Sequence, residues 1–142
     1  MDFVVIDVNV VLSSLLGKGD SLNVFLLNGL FQKFNFVAPE FLLKEFENHK
    51  EEILGRTKLS RDEFDRVINF IFEQISFVPI GEFKDNLPSA NEILKEHYKD
   101  IQYVALALKL NCSIFSGDKV LRNLWLKKVL SPKEMIDKFY NN

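Results

Sequence analysis

The run Phe3-Val4-Val5-Ile6 is apolar at every position, and it stops at Asp7. A strand with no polar face has to be covered on both sides, which excludes a sheet with one wetted surface. Short stretches of the same kind recur at Asn35–Ala38, Ser76–Ile80, Ser113–Ser116 and Lys128–Leu130. Amphipathic stretches separate them. Such alternation predicts a three-layer α/β sandwich, with a central parallel sheet of four to five strands flanked by helices.

Punctuation residues bound the helices. A helical stretch follows Asp7 through Leu16 and stops at Gly17; the next begins at Asp20–Ser21 and runs to about Phe34. Pro39 suits the first turn of a helix over Glu40–Leu54, ended by Gly55. Ser60 and Glu63 form a capping-box signature for a helix reaching about Ile75. Pro88-Ser89 opens a helical region to Asn111, broken near His97–Lys99. Asp118–Leu126 reads as helix, and Ser131-Pro132 starts the last one. No internal repeat or linker interrupts the chain, so one domain over residues 1–142 is expected.

Composition narrows the classes. One cysteine, Cys112, allows neither an intrachain disulfide nor a zinc framework, and it reads as a buried, inert thiol in a reducing cytoplasm. The apolar runs fall short of the roughly 20 residues a membrane helix needs, and Asp2 in place of a basic cluster argues against a signal peptide. The net charge of −2 is not that of a nonspecific nucleic-acid binder, so any such role must come from a local site. The 14 phenylalanines fall mostly on strand or helix-stripe positions and read as core rather than base-stacking groups, as does Trp125.

In open parallel α/β sheets, ligands bind outside the carboxyl ends of the strands. Asp7 closes the first strand, and Asp118 follows the fourth through Ser116-Gly117. Two further acids lie on helices. Glu45 falls in the apolar stripe of Phe41, Leu42, Phe46 and Ile53, and Asp100 stands one turn before Val104 in a second stripe. Each acid alone has a plain structural role: Asp118 and Asp100 as helix caps, Asp7 as a turn former, Glu45 as a half-exposed helix residue. Four buried carboxylates near one another would be prohibitive without a counter-charge, and hard Mg2+ or Mn2+ ions take oxygen ligands. His49 and His97 lie on or near apolar stripes and read as hydrogen-bonded core or boundary histidines.

Ile6-Asp7-Val8-Asn9, Glu45, Asp100 before Gln102-Tyr103-Val104-Ala105-Leu106-Ala107, and Phe115-Ser116-Gly117-Asp118-Lys119 together resemble the PIN-domain family. The resemblance spans nearly the whole chain. It implies a Rossmann-like sheet whose carboxyl edge carries four acids, here Asp7, Glu45, Asp100 and Asp118, binding Mg2+ or Mn2+ and cleaving RNA phosphodiesters. Asn9 and Ser116 match positions that would steady those carboxylates. The family often has Thr or Ser between the first Asp and the Asn, where this chain has Val8. Many PIN proteins are toxins of VapC-type toxin–antitoxin pairs, which commonly form homodimers, while others act in RNA processing or have no known partner. The resemblance leaves an antitoxin protein and a second copy as candidate partners without choosing among these roles.

In a two-metal scheme Asp7 and Asp118 would be direct ligands, Asp100 a ligand or bridge, and Glu45 a ligand or the holder of the attacking water. Lys119 and Arg122 are the foremost candidates to grip substrate phosphates, with Lys44 and Lys99 next; each also reads as an ordinary solvated charge. A haloacid-dehalogenase-like phosphatase would need an acid at the position of Asn9. A nucleotide-binding Rossmann domain would need a glycine-rich loop where Asp7-Val8-Asn9-Val10 stands. A PIN scaffold that binds RNA or protein without cutting is the non-enzymatic alternative.

Overall fold

The computed structural model describes residues 2–125 and 128–141. Among them, five strands form one sheet: β1 (Asp2–Ile6), β2 (Phe34–Pro39), β3 (Ile75–Val78), β4 (Ser113–Phe115) and β5 (Val129–Leu130). Neighbours all run parallel, in the order β3-β2-β1-β4-β5. Eight helices flank it: α1 (Val8–Leu16), α2 (Ser21–Phe31), α3 (Phe41–Arg56), α4 (Arg61–Glu73), α5 (Leu87–Leu94), α6 (Ile101–Leu110), α7 (Lys119–Leu124) and α8 (Pro132–Tyr140). This is the expected α/β architecture. No single helix among the described residues is long and apolar enough to cross a membrane.

The strand order makes the chain reverse direction once. It moves from β1 outward to β2 and β3, then returns through α5 and α6 to β4 on the other side of β1. Right-handed crossovers put the helices of the outward and return paths on opposite faces. Accordingly α1 packs on α2, α3 and α4, whereas α6 packs on α5 and lies across β1, β2 and β4. Val4, Val5 and Ile6 are buried between the two layers, as a strand apolar on both faces requires.

Several element ends differ from expectation. Gln32 takes a left-handed conformation (φ 51) and ends α2 at Phe31, so that Phe34 is free to pair with Asp2 in the sheet. Pro39 belongs to β2 rather than to the next helix, on the side of the strand where it faces Val78 of β3. Gly55 lies inside α3, which continues to Arg56. Ile75 joins β3, and Pro79 turns the chain so that Ile80 enters a 3-10 turn instead of the strand. The helical region before Asn111 does break, at Lys95 (φ 57), and resumes through a 3-10 turn at Tyr98–Asp100. Asp118 is the cap of α7 and not its first residue, while the expected end of that helix at Leu126 lies outside the described residues. The Ser60–Glu63 capping box forms as expected.

The start of β2 is gripped by one side chain. The buried Asn28 amide accepts from Phe34 N–H at 2.9 Å and donates to Phe34 C=O at 3.2 Å, which extends the hydrogen-bond ladder where no strand lies. Asn28→Ala strands both backbone groups. Urea unfolding is expected to show a loss of roughly 2–6 kcal/mol, from about 1–3 kcal/mol for each of the two buried groups left unpaired.

Candidate functional site

β1 and β4 lie side by side and end together at the point where the strand order reverses, the place where open α/β sheets form their binding crevice. The Asp7 N–H still bonds to Phe115 C=O at 3.2 Å, which fixes the two strand ends against each other. Beyond them the backbone turns into helices, and the side chains that follow converge.

Ser116 is the hub. Its hydroxyl donates to Asp7 Oδ2 at 2.7 Å and accepts from Asn9 Nδ2 at 3.3 Å and from Asp118 N–H at 3.0 Å. Asn9 Oδ1 in turn accepts from Gly117 N–H at 3.2 Å, so Asn9 clamps the β4 turn with both ends of its amide. Asp7 also caps α1, with Oδ1 accepting from Asn9 N–H at 3.4 Å. Asp118 caps α7 through bonds from Val120 and Leu121 N–H, and its other oxygen faces Lys99 Nζ at 3.7 Å. The capping role foreseen for Asp118 is therefore real; Asp100 makes no such side-chain bond.

Asp7 is 3% exposed and Asp100 6%. Burial, followed by the charge of Asp100, pushes the Asp7 carboxyl up to about 7, against the pull of the Ser116 and Asn9 hydrogen bonds. Burial also pushes Asp100 up, to about 6; the charge of Asp118 adds to this, Lys99 opposes it, and Glu45 adds a smaller push. Glu45 is half-buried and raised by desolvation against the bond it accepts from Tyr103. The charges of Glu45, Asp100 and Asp118 thus bear on Asp7 or Asp100 through space. Asp7, Glu45 and Asp118 also accept hydrogen bonds from the protein, and among the described residues Asp100 accepts none. Among the described residues, no three Asp, Glu, His or Cys side chains already meet at one ligation point.

Other expected residues fall further out. Lys119 and Lys44 are exposed. Arg122 is half-exposed and bonded to Glu134 Oε1 at 2.5 Å, beside a cavity of about 440 Å³ that borders Asp118 and Lys119. His49 and His97 are exposed rather than in the core: His49 lies on α3 between the buried Phe46 and Ile53, and the His97 segment lies in the break before α6. Cys112 is half-buried against the core, its thiol pushed up to about 11 by burial; Trp125 also packs on the core. Tyr103 was not foreseen as a site residue, since a tyrosine at an apolar-stripe position looks like core. It is fully buried, yet its hydroxyl donates to Glu45 Oε1 at 2.5 Å. Val8 brings no hydroxyl to the β1 turn, but those of Ser116 and Tyr103 reach it.

A family profile described as "PIN domain" matches residues 5–130, from the end of β1 to the end of β5. The chain belongs to the PIN-domain family. PIN domains are in general nucleases that bind RNA and work with divalent metals. None of the curated proteins compared matches this chain.

The residues of this PIN domain fit such a metal by their donor chemistry. The candidate ligands are all carboxylates, they are buried or half-buried, and burial together with neighbouring acids raises the proton affinity of Asp7 and Asp100, which is the conflict a hard divalent cation relieves. The conflict has a measurable cost in the metal-free protein. Between the ordinary value of 3.8 and about 7, the folded chain keeps a proton on Asp7 that the unfolded chain has lost. Stability contributed by Asp7 therefore falls as pH rises through that window and is flat above it. Asp7→Asn removes the penalty. In chemical denaturation without metal it is expected to be more stable than the wild type by roughly 2–4 kcal/mol near about pH 8, with the difference shrinking toward about pH 4.

Proposed function

We propose that this PIN domain is an endoribonuclease that hydrolyses RNA phosphodiester bonds with Mg2+ or Mn2+ at a site of Asp7, Glu45, Asp100 and Asp118. The observation that carries this reading is the pair of buried acids, Asp7 and Asp100, whose charges oppose each other at the sheet's switch point. A bound divalent ion supplies Lewis acidity toward phosphate oxygens and lowers the pKa of water. Asp7 and Asp118 would hold it directly and Asp100 as ligand or bridge, while Glu45 would be a ligand or would hold the attacking water. Ser116 and Asn9 keep the Asp7 and Asp118 carboxylates in register, since both side chains tie the β1 turn to the β4 turn.

Substrate phosphates would be gripped by Lys119, Arg122 and Lys99. Arg122 starts from its pair with Glu134, so binding there requires that pair to open or share its charge. The chain is proposed to act as one domain in the cytoplasm and to form a homodimer. Exposed Leu26, Leu30 and Phe31 on α2, together with Tyr140 on α8, support the homodimer because clustered exposed apolar side chains mark interaction surfaces. A toxin role with an antitoxin partner rests on the resemblance to VapC-type proteins, and a small reading frame beside the gene is the feature to look for.

A non-cutting PIN scaffold is favoured by one fact: among the described residues, no three Asp, Glu, His or Cys side chains already meet at one ligation point. Cleavage assays separate the two readings. Purified protein is expected to cut single-stranded RNA only with Mn2+ or Mg2+. Asp7→Asn or Asp100→Asn should lower the rate by more than the roughly 100-fold typical of losing an outer partner, with the fold intact by circular dichroism. Metal-independent cutting, or full activity in both variants, would overturn the mechanism; metal binding without cutting would favour the scaffold.

A further inference from the structure

Glu45 is held differently from the other acids. Asp7 and Asp118 are fixed by the turns that carry them, and Asp100 by the start of α6. Glu45 reaches the site from α3, a helix whose neighbouring Lys44, Glu47, Asn48 and His49 are all exposed. Its side chain has three torsions, and the charges of Asp7 and Asp100 oppose its own. Without a restraint it would turn to water, as Glu47 does.

The restraint comes from α6. Tyr103 stands one turn past Asp100 and is 1% exposed, so its hydroxyl has no recourse to solvent. That hydroxyl donates to Glu45 Oε1. The phenol therefore links α6 to α3 through residues 58 positions apart in the chain. One Glu45 oxygen is occupied by the tyrosine, and Oε2 accepts no hydrogen bond among the described residues.

We propose that Tyr103 is a positioning residue: its hydroxyl holds Glu45 in the acidic site so that α3 contributes a metal-binding oxygen. This rests on the metal-dependent reading above. The competing role is pure packing, in which the ring fills the core and the hydroxyl is incidental. Tyr103→Phe keeps the ring and separates the two.

The full chain, Tyr103→Phe, Glu45→Ala and the double variant would be titrated with Mn2+ by calorimetry and unfolded in urea without metal. Tyr103→Phe is expected to bind Mn2+ about 10–100-fold more weakly than the wild type. The double variant is expected to bind no more weakly than Glu45→Ala alone. In the metal-free cycle the two substitutions should be non-additive by at least about 10-fold in the folding equilibrium constant. Equal Mn2+ affinity for wild type and Tyr103→Phe would overturn the inference and leave the nuclease reading standing. So would an equal loss with and without Glu45. If the wild type binds no Mn2+ and cuts no RNA, the nuclease reading fails. The metal-free cycle then decides the tether: additive substitutions overturn it, and non-additive ones keep it.

Discussion

The hydroxyl of Ser116 joins the ends of two neighbouring strands. By donating to Asp7 while accepting from Asn9 and from the Asp118 amide, it makes the β1 and β4 turns one unit. That bond is available only because β1 and β4 are parallel neighbours that end level with each other, Ile6 beside Phe115. Parallel pairing follows in turn from strands too apolar to face water. The site is thus a consequence of how the core is covered, with polar groups gathered at the one edge where the covering helices part.

Its cost is electrostatic. Burial alone would make Asp7 a poor place for a charge, and Asp100 worsens it, so each carboxyl holds its proton to an unusually high pH. A fold selected for stability alone would place asparagine or an apolar residue there. Hydrogen bonds from Ser116, Asn9 and Tyr103 reduce the strain without removing it, because none of them brings a positive charge. Lys99 does bring one, but it is 75% exposed and stands 3.7 Å from Asp118 at the rim. The protein's own charges do not balance at this edge of the sheet.

Much of this was legible in the chain. Short, largely apolar strands pointed to the parallel sheet, and an acid at or just after the end of such a strand pointed to the edge where Asp7 and Asp118 lie. Two kinds of feature were not legible. Element ends set by pairing, such as Phe34 opposite Asp2 and Pro39 opposite Val78, depend on a partner strand distant in the chain. The Tyr103–Glu45 bond is hidden for a related reason: the two residues are 58 positions apart, and each sits in an apolar stripe where its polar atom looks incidental. The histidines misled in the opposite sense: helical spacing puts His49 in line with Phe46 and Ile53, yet it is exposed, and His97 falls in a break of the helix.

If the acids form a cation site kept partly protonated by burial and mutual repulsion, a bound cation must displace protons. Calorimetry of Mn2+ binding in two buffers with different ionisation enthalpies measures the protons exchanged on binding. Near about pH 6.5, where Asp7 is still largely protonated, the account predicts binding with net release of protons, vanishing near about pH 8.5. Binding heats that do not depend on the buffer at the lower pH, or no Mn2+ binding at either, would contradict it.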